Sequence, residues 1–99
     1  MRAIQFKETG SPEVLQLVNL KELIVGAVEV LVSATAFGVG KPDELLRAGV
    51  YKWMPDLPAV IGNEMSGHVV AVGPGVSNFA IGQPVLVFGT RAGLHAELT

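Results

Sequence analysis

Hydrophobic and polar residues alternate along this chain in short stretches, each closed by glycine or proline. Ile4 and Phe6 alternate with Gln5 and Lys7, and Thr9-Gly10-Ser11-Pro12 then reads as a turn. The run from Val14 to Leu20 places Leu15 and Leu17 on one face. The firmest strand signal is Val28 to Phe37, where Val28, Val30, Val32, Ala34 and Ala36 share a face and Glu29, Ser33 and Thr35 interrupt the other. Strands are expected near residues 2–7, 14–18, 28–36, 67–73 and 84–88, with a weaker signal at Leu94–Leu98. Gly73-Pro74-Gly75 and Ile81-Gly82-Gln83 are the turns between the later ones. Twelve glycines and six prolines at this spacing predict a mostly β domain, a sandwich or barrel.

One short helix is expected near 42–48. Pro42 suits a first helical turn, Asp43 and Glu44 complement the positive end of the dipole, Arg47 lies near the other end, and Gly49 is a natural stop. The segment from Val50 to Val60 holds Pro55 and Pro58 with Tyr51 and Trp53, and reads as a surface loop. No internal repeat or interdomain linker interrupts the 99 residues, a length that fits one small domain.

Composition removes several function classes. Seven Lys and Arg against nine Asp and Glu give a formal charge of −2, with no basic stripe for a nucleic acid. Mean hydropathy is positive at +0.48, yet Gly, Pro or a charge breaks every stretch well short of the ~20 apolar residues a membrane span needs. The absence of cysteine excludes disulfides, thiolate-bound metals and thiol catalysis. No apolar leader follows the first residues, so a cytoplasmic location is expected.

The candidate chemistry is sparse. Gly38-Val39-Gly40 before the helix resembles a phosphate loop only in part, because the third glycine of G-x-G-x-x-G is missing and the preceding strand belongs to a β-rich pattern. His68 has no Cys, His or carboxylate at ligand spacing and reads as a surface or hydrogen-bonded histidine. His95 and Glu97 can share one face of a strand, a single pair that makes no metal site. Glu64, beside Asn63 in a glycine-rich corner, can fix that corner through backbone N–H groups or face a cleft. Asp43 is accounted for by the helix dipole, while Trp53 and Tyr51 can wall a substrate site or cap the core.

The same residues carry a family resemblance. Phe6 to Leu15 (Phe-Lys-Glu-Thr-Gly-Ser-Pro-Glu-Val-Leu) resembles the opening of the zinc-independent quinone oxidoreductases of the medium-chain dehydrogenase/reductase superfamily. Glu29-Val30-Leu31-Val32 leading to Ala36-Phe37-Gly38-Val39 matches the next block, and the longest match runs from Ile61 to Val76, continuing through Phe79, Gly82 and Val85. The resemblance implies a GroES-like, partly open β-barrel with one short helix. It also implies a Rossmann domain elsewhere in a full-length protein, and NADPH in the cleft between the two. The implied reaction is hydride transfer to a quinone or another α,β-unsaturated carbonyl.

Departures from the family qualify the site. Zinc-dependent relatives carry a ligand Cys where this chain has Gly40 and a ligand His where it has Asn63, so no metal is expected and only Glu64 persists. Many quinone reductases place Asn at the Gly40 position and Tyr at the Leu45 position. The substrate-cleft candidates are therefore Gly40, Asp43, Leu45, Trp53 and Glu64, with no catalytic residue assigned. The last strand signal runs to Thr99 without a closing turn, which reads as a domain cut short with an open strand edge. No cofactor and no catalysis are expected of the chain alone, and self-association as a homodimer through Pro84–Phe88 and Leu94–Leu98 is expected. The alternative is a stand-alone GroES-like assembly module or small-ligand binder, although no glycine-rich mobile loop with an apolar anchor is evident.

Overall fold

The computed structural model describes residues 1–89 and 93–99. Two antiparallel three-stranded sheets carry the fold, and neither closes on itself. In the first, β1 (Arg2–Phe6) lies between β2 (Gln16–Asn19) and β4 (Ala59–Val60). In the second, β5 (Glu64–Val72) lies between β3 (Val30–Gly38) and β6 (Pro84–Phe88). The expected mostly β architecture with one short helix, α1 (Lys41–Ala48), is what forms.

Several boundaries move for physical reasons. Pro12–Val14 form a 3-10 turn, so β2 begins only at Gln16. Leu15 packs on the core while Leu17, in the strand proper, is 67% exposed; the two do not share a buried face. Val28 lies outside β3 in a turn with φ 60° and is exposed, so the strand starts at Val30. The single apolar face expected for that run is also broken. Register against β5 slips between Leu31 and Val32, where Val70 of β5 is the extra residue, and again between Ala34 and Ala36, where the extra Thr35 re-aims the β3 side chains beyond it. Val32 is buried but Ala36 is exposed. Strand β5 begins at Glu64 rather than Gly67, and the expected loop at Val50–Val60 ends in β4, which pairs Ala59 with Phe6 and Val60 with Gln5.

The main core cluster lies where α1 meets β1. Phe6, Leu46 and Ile61 are buried together, with Leu15, Tyr51, Trp53 and Met54 packed around them. Phe6 is fully buried, and its burial is worth about 3 kcal/mol by apolar area. In the second sheet, Val32, Met65 and Val69 are buried as well.

The terminal segment is not the regular strand expected at Leu94–Leu98, and it is not a free edge. It sews the two sheets together. The Leu94 and His95 N–H groups donate to the Gly62 and Ile61 carbonyls, the Ile4 N–H to the His95 carbonyl, and the Glu97 N–H to the Arg2 carbonyl. On the other side Ala34 N–H donates to the Glu97 carbonyl, and Val32 and Thr99 exchange bonds of 2.8 and 3.0 Å. Serving two sheets in turn, this stretch loses strict alternation: His95 and Ala96 are both buried. Among the described residues no helix is long and apolar enough to cross a membrane.

Candidate functional site

A cleft of about 680 Å³ opens between the start of α1, β1 and the terminal segment. Its floor is apolar, built from Ile4, Leu15, Val39 and Ile61, and its rim carries Lys41, Asp43, Glu44 and Arg47. Each rim group has its own local partner. Asp43 is buried, and its carboxylate accepts the Gly40 N–H at 2.9 Å. Lys41 Nζ lies 3.0 Å from Glu44 Oε2, and Arg47 donates to the Gly10 carbonyl while its own carbonyl accepts from the Gly10 N–H at 2.9 Å. The helix start is therefore capped from within, and the helix end is tied to the turn after β1.

The back wall of the cleft is His95. Its side chain is buried, Nε2 lies 3.0 Å from the Gly38 carbonyl, and the ring tilts against Phe37 with centroids 5.0 Å apart. A carbonyl can only accept, so Nε2 carries the proton of this bond. Gly62 makes the space: with φ 117°, it would place a Cβ 2.4 Å from the imidazole. Glu64 closes the other side of Gly38, where a Cβ would lie 1.9 Å from its carboxylate oxygen. The turn leading into α1 is thus held at Gly38 between a histidine bond and a carboxylate side chain.

Of the residues singled out from sequence, Gly40 and Asp43 line this cleft. Leu45 is not among its lining; its carbonyl accepts from Val50, at the end of the helix. Trp53 and Tyr51 pack on the Phe6–Leu46–Ile61 cluster, which makes them part of the core covering. Glu64 borders a separate, smaller cavity with Ala36, Met65 and Leu86. His68 is exposed on β5. Glu97 turns away from His95 to Arg2, whose guanidinium approaches to 2.7 Å, and the Arg2 backbone N–H and then its side chain hold that carboxyl below the usual range. His95 is the cleft residue that sequence reasoning did not assign, since nothing in Leu94-His95-Ala96 marks the terminal segment as crossing between sheets.

The cleft does not fit the phosphates of a dinucleotide. The Gly40 N–H at the helix start is already taken by the Asp43 carboxylate, and an approaching phosphate would meet that negative charge. No βαβ unit with a glycine fingerprint occurs among the described residues. Nor do any three His, Asp or Glu side chains among them gather as a metal site.

The family model of the alcohol dehydrogenase GroES-like domain matches residues 26–97. The rat (Rattus norvegicus) quinone oxidoreductase is 39% identical over 100 residues, with 98% of this chain and 30% of the relative covered. The crystal structure of Escherichia coli quinone oxidoreductase complexed with NADPH superposes with a TM-score of 0.93 at 31% identity, covering 100% of this chain and 30% of that one. The Pseudomonas syringae quinone oxidoreductase gives 0.91 at 35% identity, covering 99% and 30%. The chain spans about 30% of the length of the curated relatives it matches. It belongs to the alcohol dehydrogenase GroES-like domain family and has the fold of the N-terminal domain of the quinone oxidoreductases in the medium-chain dehydrogenase/reductase superfamily.

Proposed function

We propose that this chain is the substrate-side part of a zinc-free, NADPH-dependent quinone oxidoreductase of the cytoplasm, acting on a quinone or another α,β-unsaturated carbonyl. The observation that carries the reading is the cleft itself. An apolar floor of Ile4, Leu15, Val39 and Ile61 suits an uncharged ring, and at the helix start the Gly40 amide is already bonded to the Asp43 carboxylate, which disfavours an anion. His95, its ring braced from behind by Phe37, forms a fixed back wall that limits how deeply a ring enters.

NADPH, bound in the structures of one Escherichia coli and one mycobacterial relative, belongs in this reading to a separate nucleotide-binding domain. This chain contributes shape and water exclusion around the substrate ring, and does not turn over by itself. NADPH consumption in the presence of a quinone tests this: none is expected with the purified 99-residue chain. Consumption proportional to its concentration would contradict the division of labour. A stand-alone assembly role would instead leave the cleft indifferent to quinones.

A further inference from the structure

We propose that Nδ1 of His95 is a hydrogen-bond acceptor at the back of the cleft, and that it makes the cleft hold a hydroxyl-bearing ring more tightly than the corresponding quinone. This rests on the reading of the cleft as the ring site and adds which oxidation state of the ring it favours. The imidazole is almost fully enclosed, the residue being only 8% exposed. Its bond to the Gly38 carbonyl, at 3.0 Å, fixes the proton on Nε2. In the neutral ring Nδ1 then keeps a lone pair and has nothing to donate.

The surroundings of the ring leave that lone pair open. Gly62 backs the Cδ2 flank, since a Cβ there would lie 2.4 Å from that atom. Nδ1 is on the opposite flank. Among the described residues no group donates to it, and no buried side-chain nitrogen or oxygen is without a partner. A sealed Nδ1 would be such an orphan, so the atom opens onto a cavity. His95 borders two. The smaller, about 190 Å³, is shared with Leu17, Phe37 and Ala96 and falls below the roughly 300 Å³ at which small-molecule sites begin. The larger is the cleft of about 680 Å³, and Phe37 is absent from its lining. Phe37 therefore stands on the small-cavity side of the imidazole, and the other side is the one a ring can meet.

The chemistry of this wall discriminates between two states of one ring. A quinone seated against it turns a carbonyl oxygen toward Nδ1, and two facing acceptors make no hydrogen bond. The hydroquinone of the same ring turns an O–H there and donates. The rim does not discriminate in this way: Lys41 donates and Glu44 accepts, so either oxygen finds a partner at that pair. One neutral hydrogen bond gained on an otherwise unchanged ring is worth about fivefold in affinity. The reduced ring therefore competes with the quinone for the cleft.

NMR titration of the 15N-labelled chain under argon, with tetramethyl-1,4-hydroquinone and separately with tetramethyl-1,4-benzoquinone, tests the assignment. Both should shift the Ile4, Val39 and Ile61 amides, with the hydroquinone binding about fivefold more tightly. The hydroquinone should also move the His95 Nδ1 resonance upfield, as accepting a bond does, well beyond any shift the quinone causes. His95→Phe keeps a ring at the wall and should make the two affinities equal. Equal affinities in the unsubstituted chain would overturn the proposal and leave the reading of the cleft intact. So would a hydroquinone preference that persists in His95→Phe or leaves Nδ1 unmoved. Should His95→Phe fail to fold, the Nδ1 resonance of the unsubstituted chain still decides. Shifts in the cleft from neither compound would overturn both the proposal and the reading it rests on.

Discussion

His95 Nε2 lies 3.0 Å from the Gly38 carbonyl, joining residues 57 apart in sequence. The bond ties the segment that bridges the two sheets to the turn that launches α1. Because His95 also forms the back of the cleft, one side chain sets both the position of the helix start and the depth of the space in front of it.

Removing that donor should be felt in stability. His95→Phe keeps a ring against Phe37 but leaves the Gly38 carbonyl without its partner, a loss of about 1–2 kcal/mol. Urea unfolding followed by circular dichroism measures it, and an unchanged midpoint would mean the bond is dispensable.

Two glycines of this region should respond in opposite directions. Gly62→Ala forces a Cβ into the imidazole at a backbone angle of +117° and should cost about 2 kcal/mol or more. Gly40 has φ −134°, and a Cβ there meets only Pro42 at 3.5 Å. Gly40→Asn, the residue many quinone reductases carry at this place, should therefore stabilise the chain by a few tenths of a kcal/mol, since Asn is the better helix cap. Thermal melting of both variants reads the contrast; equal melting temperatures would refute the packing described here.

Much of the fold was legible in the sequence because strand periodicity and turn residues are local. Helix α1 lies within a residue of its expected start, since Pro42, Asp43 and Gly49 mark its ends. What escaped was non-local. Nothing near Val32 or Ala34 announces two bulges, which arise from pairing with a strand thirty or more residues away in sequence. Ala59–Val60 becomes a strand only because β1 has an edge to offer. The site was legible in part for the same reason. Gly40 and Asp43 belong to a local capping pattern, whereas His95 reaches the cleft only through the terminal crossing between sheets.

The role of Trp53 separates by energetics. As part of the core covering, Trp53→Ala should cost about 2–4 kcal/mol and leave quinone affinity of the folded protein unchanged. Weakened binding at full stability would instead make it a wall of the substrate site.

Acid stability should depend on Glu97. The Arg2 contacts depress its carboxyl, so its contribution is full above the usual carboxylate range and is lost as pH falls through the lowered folded value. Glu97→Gln should flatten that part of the stability–pH curve, measured by denaturant unfolding at a series of acidic pH values. An identical curve for both proteins would show that the pair contributes nothing.

The cleft's assignment is tested most directly by an NMR titration of the chain with tetramethyl-1,4-benzoquinone, whose filled ring positions block addition by Lys41. The expected result is saturable shifts at Ile4, Leu15, Val39, Ile61 and His95, with NADPH alone moving none of them. Quinone shifts confined to other parts of the surface, or NADPH shifts centred on Gly40 and Asp43, would contradict it.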